Sequence, residues 1–283
     1  MLNGQPLHAY SAEILARIGC AAEVFCFLDY DGTLARLAPT PDAARPLPGT
    51  AALLTRLVAT PGTSVALVTG RTIADLRRFV AVAGLFYIGV HGVEIQLPDG
   101  AWYQRADVAA VRAALPRIRQ QLAQDVGPRP GILYEDKGAA LACHYRLAAR
   151  ADAARLRATA QATVVAYQRR GLPLVLASGH EVVELRPAGI NKGDAVRALL
   201  ADHAHAALPL YVGDDVTDEE AFARLPEQAI TVRVGPRGQP TRARYRVATP
   251  EEVQQLLTAV VHRRRRPPAT AGAPAVPGPV PGY

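Results

Sequence analysis

The sequence predicts an α/β protein: a doubly wound, mostly parallel sheet with an α+β unit inserted into it. Three observations lead there. Continuous apolar runs such as Val24–Leu28 and Ser64–Val68 are what strands covered on both faces produce, and helical stretches separate them. Between residues 107 and 186 the order changes to helix, hairpin, helix, hairpin, which is an α+β pattern. After Pro187 the strand–helix alternation returns, so residues 1–106 and 187–262 are expected to form one core, with 107–186 as the insert.

The first element this pattern identifies is the strand Val24–Leu28. A helix from about Thr50 to Ala59 follows and is stopped by Pro61-Gly62. Ser64–Val68 is the second strand, then comes a helix over about Ile73–Val82, then a third strand, Tyr87–Val90. Val93–Leu97 and Ala101–Gln104 flank Pro98-Asp99-Gly100 as a hairpin. In the insert, a helix over about Val108–Gln124 is expected to break or bend at Pro116. Hairpins follow at Ile132–Glu135 with Ala139–Arg146, and at Leu174–Ala177 with Val182–Arg186, the latter turning at Ser178-Gly179; a helix from about Ala151 to Arg170 lies between them. The returning core contributes a helix from Lys192 to about Leu200 and a strand Pro209–Val212. A helix Asp218–Leu225, a strand Ile230–Val234 and a last helix Glu251–Val261 complete it.

Composition narrows the function classes. An apolar fraction of 49% and a charged fraction of 20% belong to a folded globular chain. No run approaches the roughly 18 apolar residues of a membrane span. No secretory leader pattern opens the sequence, and Cys20, Cys26 and Cys143 lack metal-site spacing, so a cytoplasmic protein is expected. The net charge of +7 falls to +3 without residues 263–283, which hold four arginines and no acid. That segment has six prolines and few bulky apolar residues and is read as a disordered tail. The expected partner is therefore a small molecule acting on a monomer, with neither nucleic acid nor membrane; a regulatory binding role through the basic tail is the alternative from another class. Of 32 basic residues only two are lysines, Lys137 and Lys192, which marks both for attention.

Three strand ends carry chemistry, and ligands of parallel α/β sheets bind at such ends. Asp29-Tyr30-Asp31-Gly32-Thr33 offers two carboxylates, one able to attack phosphorus and one able to move a proton to the leaving oxygen. A calcium loop is excluded, because the fifth and twelfth positions counted from Asp29 are Thr33 and Thr40. Thr69-Gly70-Arg71 can present a hydroxyl and backbone N–H groups to a phosphate, and Thr69 serves equally well as a helix cap. In Gly213-Asp214-Asp215-Val216-Thr217-Asp218-Glu219-Glu220, acids this dense need a cation or a helix dipole; Asp214, at the strand end, suits Mg²⁺. Lys192, before a helix, could neutralise both a phosphoryl group and a carboxylate nucleophile.

In this order the motifs resemble those of the haloacid dehalogenase superfamily of phosphatases. Phe27-Leu28-Asp29-Tyr30-Asp31-Gly32-Thr33-Leu34, His91-Gly92 and Tyr211-Val212-Gly213-Asp214-Asp215 are further similar to the trehalose-6-phosphate phosphatase family, over roughly residues 24–262. The resemblance implies a Mg²⁺-dependent phosphoric monoester hydrolase of trehalose biosynthesis with a Rossmann-like core and a specificity cap. It implies Asp29 as nucleophile and Asp31 as general acid/base, with Thr69, Gly70 and Lys192 on the phosphate. It implies Mg²⁺ on Asp29, the Asp31 carbonyl and Asp214, supported by Asp218. Cap residues Glu135, Lys137, Arg146 and Glu184 would hold sugar hydroxyls, with His180 where the family often has lysine; Arg71 and Asn191 join them as substrate-binding candidates. Read without the resemblance, the cap residues are equally well solvated or ion-paired strand residues. Sucrose 6-phosphate and mannosyl-3-phosphoglycerate are the neighbouring substrate alternatives.

Overall fold

The computed structural model describes residues 5–204 and 206–265, with backbone alone for residues 5–11. In chain order the strands are β1 (Gln5–Pro6), β2 (Val24–Leu28), β3 (Thr63–Val68), β4 (Phe86–Gly89), β5 (Glu94–Gln96) and β6 (Trp102–Gln104). Then come β7 (Leu133–Asp136), β8 (Leu141–His144), β9 (Leu174–Gly179), β10 (Val182–Pro187), β11 (Leu208–Gly213), β12 (Ile230–Val234) and β13 (Tyr245–Val247). The helices are α1 (Leu7–Cys20), α2 (Thr50–Val58), α3 (Ile73–Arg77), α4 (Ala109–Val126), α5 (Arg150–Gln168), α6 (Lys192–His203), α7 (Val216–Arg224) and α8 (Pro250–Arg265).

Nine strands form one sheet in the order β1-β13-β12-β11-β2-β3-β4-β5-β6. Pairing is parallel from β1 to β4 and antiparallel at β4–β5 and β5–β6. The unbroken apolar runs have a direct cause. Val24, Cys26 and Leu28 of β2 face one helical layer while Phe25 and Phe27 face the other, and β3 repeats this with Val65 and Leu67 against Ala66 and Val68. Alternation sends successive side chains to opposite faces, and here both faces are covered. Ile14 and Ile18 of α1, Leu54 and Leu57 of α2 and Leu257 and Val261 of α8 fill the first layer. Val196 and Leu199 of α6 and Phe222 of α7 fill the second. Each such side chain contributes roughly 1.5–3 kcal/mol of burial.

The segment between β6 and α6 forms a separate four-stranded antiparallel sheet, β7-β8-β10-β9, backed by α4 and α5. Val111, Leu115, Ile118 and Leu122 recur at helical spacing along α4 and meet Leu156 and Val164 of α5 over Leu141, Val183 and Leu185. This unit is called the cap below.

Several expectations are corrected. Helix α4 runs through Pro116 unbroken, because Pro116 lies on the exposed side, where the carbonyl it leaves without a donor can turn to water. Helix α3 stops at Arg77, short of Val82; the Tyr87 hydroxyl donates to the Val82 carbonyl at 3.1 Å and holds the following stretch in a non-helical path. Strand β9 extends to Gly179, which moves the hairpin turn from Ser178-Gly179 to His180-Glu181. The strands β1 and β13 and the helix α1 were not expected from the sequence. Helix α8 continues to Arg265, so Arg263 to Arg265 are not part of a tail. The Arg264 guanidinium donates to the carbonyls of Ala22 at 3.0 Å, Pro61 at 3.1 Å and Gly62 at 3.0 Å, and also to Ile18 and Ala21. It thereby ties α8 to the end of α1 and to the loop before β3. Residues 266–283, where disorder is expected, lie outside the described residues. No helix among the described residues is long and apolar enough to cross a membrane.

Candidate active site

Strands β11, β2 and β3 are neighbours, so the residues that follow them emerge side by side at one sheet edge. The ladder runs one residue past β2 and β3: the Asp29 N–H donates to Val212 O at 3.0 Å and the Thr69 N–H to Ile88 O at 2.9 Å. Asp214 directly follows Gly213, the last residue of β11. Gly32, with φ +78°, lets the chain turn close beneath Asp214; a Cβ there would stand 2.0 Å from its Oδ2. Only glycine satisfies both the left-handed backbone and that approach.

Lys192 opens α6 and enters this cluster from the second layer. Its Nζ donates to Asp29 Oδ1 at 2.7 Å and to Asp218 Oδ1 at 2.9 Å, with all three side chains buried. Asp218 also accepts from the Tyr211 hydroxyl at 2.8 Å and from the Asp215 N–H at 2.9 Å. Oxygens of Asp29, Asp214 and Asp218 all lie within 4.8 Å of one another. Three carboxylates face one ammonium, and the electrostatics record the imbalance. Burial pushes the Asp29 carboxyl up to about 7, against the pull of Lys192. Burial, with Asp29 and Asp218 beside it, drives Asp214 well above the usual carboxylate range. A hard divalent cation taking oxygen ligands would relieve both, and the donor set fits one.

The acidic run after β11 divides its tasks. Asp214 faces the cluster, Asp215 caps α7, and Asp218 is buried beneath Lys192. Glu219 accepts from the Thr241 hydroxyl at 2.7 Å, and Glu220 accepts from Arg186 at 3.2 Å at the exit of the cap.

The two substrate-binding candidates of the core, Arg71 and Asn191, have partners within the core. Arg71 is buried and grips Asp31 with two bonds, from Nε at 2.8 Å and Nη2 at 2.7 Å; Nη1 reaches Asp75 at 2.8 Å and Nη2 also reaches Pro41 O at 2.7 Å. Four of its five N–H donors are used within the protein, and it lines the cleft behind Asp31. Asn191 caps α6, with Oδ1 accepting from the Asp194 N–H at 2.8 Å and Nδ2 donating to Asp194 Oδ2 at 2.6 Å. It does not line the cleft. Thr69 accepts from the Arg71 N–H at 3.1 Å while its strand end opens toward Asp29.

The cap forms the opposite wall of a cleft lined by Asp29, Asp31 and Thr69 below and by Glu135, Lys137 and Glu184 above. Glu184 is buried and accepts from Lys137 Nζ at 3.4 Å and from His91 of the core at 3.1 Å. Burial alone would raise the Glu184 carboxyl, but Lys137, His91 and Arg186 hold it well below the ordinary range. Glu135 pairs with His144 at 2.8 Å, which outweighs its burial and lowers it too. Arg146 donates to Glu181 at 2.9 Å, to the His180 carbonyl at 3.3 Å and to the Ala38 carbonyl of the core loop after β2. His180 is exposed at the cleft mouth. A Cβ on Gly179, at the hairpin tip, would stand 2.9 Å from Asp215 Oδ2, so the cap rests on the core. His91, His144, Glu181 and Asp215 also line this space but were not among the sequence-derived candidates. All four stood in stretches similar to the family, His91-Gly92, His144-Tyr145-Arg146, Glu181-x-x-Glu184 and Gly213-Asp214-Asp215, without being singled out for a role.

Residues 27–251 match the trehalose-phosphatase family. A trehalose-phosphate phosphatase of Mycobacterium avium is 38% identical over 216 residues, covering 74% of this chain and 54% of the relative. That of Mycobacterium tuberculosis is 34% identical over 255 residues, covering 87% and 63%. The chain thus spans about half the length of the first of these curated relatives. The C. albicans trehalose-6-phosphate phosphatase C-terminal domain superposes with a TM-score of 0.81 at 21% identity, over 92% of this chain and 98% of that one. Aspergillus fumigatus trehalose-6-phosphate phosphatase gives a TM-score of 0.64 at 26% identity, over 89% and 97%. The haloacid dehalogenase fold expected from the sequence is the fold these structures share.

Proposed function

We propose that this chain, which belongs to the trehalose-phosphatase family, hydrolyses trehalose 6-phosphate to trehalose and inorganic phosphate. The observation that carries the proposal is one cleft holding both the Asp29–Lys192 pair and, across from it, the buried Glu184 of the cap. An Asp29 oxygen attacks phosphorus as the bond to the sugar oxygen breaks, and Asp31 gives its proton to that oxygen, releasing trehalose. Water then loses a proton to Asp31 and attacks phosphorus, the bond to Asp29 breaks, and phosphate leaves. Lys192 holds Asp29 in line and offers its charge to the phosphoryl oxygens. Arg71 fixes the direction of Asp31. Asp29 and Asp214, backed by Asp218, together with the Asp31 carbonyl, would hold Mg²⁺. When bound it supplies positive charge to the phosphoryl group. Cap contact with the core keeps bulk water from the covalent intermediate.

Glu135, Lys137, Arg146 and Glu184 are the proposed sugar-binding set, with His180 at the rim. Phosphate release from a panel of trehalose 6-phosphate, sucrose 6-phosphate, mannosyl-3-phosphoglycerate and p-nitrophenyl phosphate, with Mg²⁺, tests the substrate. The proposal fails if trehalose 6-phosphate is not the preferred member. Glu184→Gln is expected to lower kcat/KM for trehalose 6-phosphate by roughly 10–100-fold, through the loss of charged hydrogen bonds, and to reduce aryl phosphate turnover much less. Equal losses on both substrates would remove the cap from specificity.

A further inference from the structure

His91 is a core residue whose side chain meets the buried carboxylate of the cap, and its backbone is strained. It follows β4 in a tight turn where Val90 has φ +47° and His91 has φ +56° and ψ +20°. Two successive left-handed non-glycine residues are strained and persist only where the surroundings impose them. The surroundings here are the phosphate loop. The Val90 N–H donates to Arg71 O at 2.8 Å and the His91 N–H to Thr69 O at 3.0 Å, so the turn is fastened to both ends of Thr69-Gly70-Arg71. The imidazole then passes over Gly70: a Cβ there would stand 2.6 Å from His91 Nε2.

From that position Nε2 meets Glu184 Oε2 at 3.1 Å, across the boundary between core and cap. Both residues are buried. Two atoms are left over: His91 Nδ1 and Glu184 Oε1 are buried without a hydrogen-bond partner. A carboxylate oxygen only accepts, so Nε2 carries the proton of the pair. Lys137 approaches the same Oε2, at 3.4 Å. Two donors therefore converge on one oxygen of Glu184 and leave the other without a partner.

We propose that His91 is a positioning residue for substrate recognition. By holding Glu184 Oε2, it turns Oε1 toward the sugar, and it makes docking of the cap and the geometry of the Thr69–Gly70 loop depend on each other. The inference rests on the reading that Glu184 binds the sugar of the phosphate ester.

Three variants separate the contact from the backbone. His91→Asn suits the left-handed backbone but is too short to reach Glu184; His91→Gln keeps a donor at the distance of Nε2; His91→Ala removes the ring. Phosphate release from trehalose 6-phosphate and from p-nitrophenyl phosphate is measured for each. Alanine and asparagine are expected to lower kcat/KM for the sugar phosphate by roughly 10–100-fold, mostly through KM, and by at least about tenfold more than for the aryl ester. Glutamine is expected to recover most of that loss. Equal losses on the two substrates, or a glutamine variant no better than alanine, would overturn the role. A readout independent of turnover is the ¹⁵N spectrum of the histidine rings in the full chain. His91 should appear as the neutral, Nε2-protonated form and shift in Glu184→Gln. If the wild type leaves trehalose 6-phosphate intact, the substrate reading fails by itself; a His91 ring indifferent to Glu184→Gln then overturns the positioning role separately.

Discussion

Asp29→Asn is expected to abolish phosphate release, by roughly 10³-fold or more, while leaving the chain folded and no less stable. An amide is isosteric with the carboxylate but does not form an acyl phosphate, so the covalent route closes. Stability should hold because Asp29 is one of three mutually repelling carboxylates, and its own carboxyl is already pushed up to about 7 by burial. Lys192 keeps Asp218, at 2.9 Å, as a charged partner after the change. Phosphate release and urea unfolding on the same preparation check both halves. Turnover within about tenfold of wild type would require another nucleophile; a large loss of stability would show that Asp29 pairs with Lys192 for the fold.

Lys192→Met should do the reverse, damaging stability as well as turnover. The substitution leaves Asp29, Asp214 and Asp218 facing one another with no protein cation among them. Breaking a buried ion pair on one side costs about 3–5 kcal/mol, and the charge offered to the phosphoryl group is lost with it, for a further drop of roughly 10²–10³ in kcat. The loss of stability should be partly recovered by millimolar Mg²⁺, since a cation bound to the native state shifts the folding equilibrium. Lys192→Arg should not substitute, because a planar fork does not fit between two carboxylates that grip a compact ammonium in a buried site. Urea midpoints with and without Mg²⁺ decide this. A methionine variant as stable as wild type in chelator would mean that the carboxylates already discharge one another by holding protons.

Much of this arrangement was legible because its causes are local. Runs such as Val24–Leu28 announce a strand covered on both faces, and the residues just past a strand end must lie where ligands bind. The rarity of lysine singled out Lys192 and Lys137, and both reach buried carboxylates. What stayed hidden depends on pairing across distance. Arg71 stood beside a phosphate-binding candidate, yet its partner is Asp31, and nothing local says which carboxylate a guanidinium will take. Asn191 looked like part of the Lys192 motif and is the cap of α6. Arg263 and Arg264 resembled the start of a basic tail, but Arg264 faces carbonyls that come together only when α1 and the loop before β3 are in place. The α1 helix escaped because only a narrow stripe, Ile14 and Ile18 among its described side chains, is buried. His91 was visible as a motif residue, but its role needs the cap folded over it.

The two lysines have one more consequence, a matter of labelling chemistry. They are the only ε-amines in the chain, and each lies in the cleft, Lys192 2% and Lys137 9% exposed. An amine-directed reagent therefore reports on the candidate active site without any engineered probe. Lys137, hydrogen-bonded to a single carboxylate oxygen at the cap wall, is freed when the cap lifts; Lys192 keeps both core partners, Asp29 and Asp218, when it does, and is expected to react more slowly until the core itself opens. The ratio of the two modification rates distinguishes breathing of the cap from unfolding of the core in a single mass spectrum.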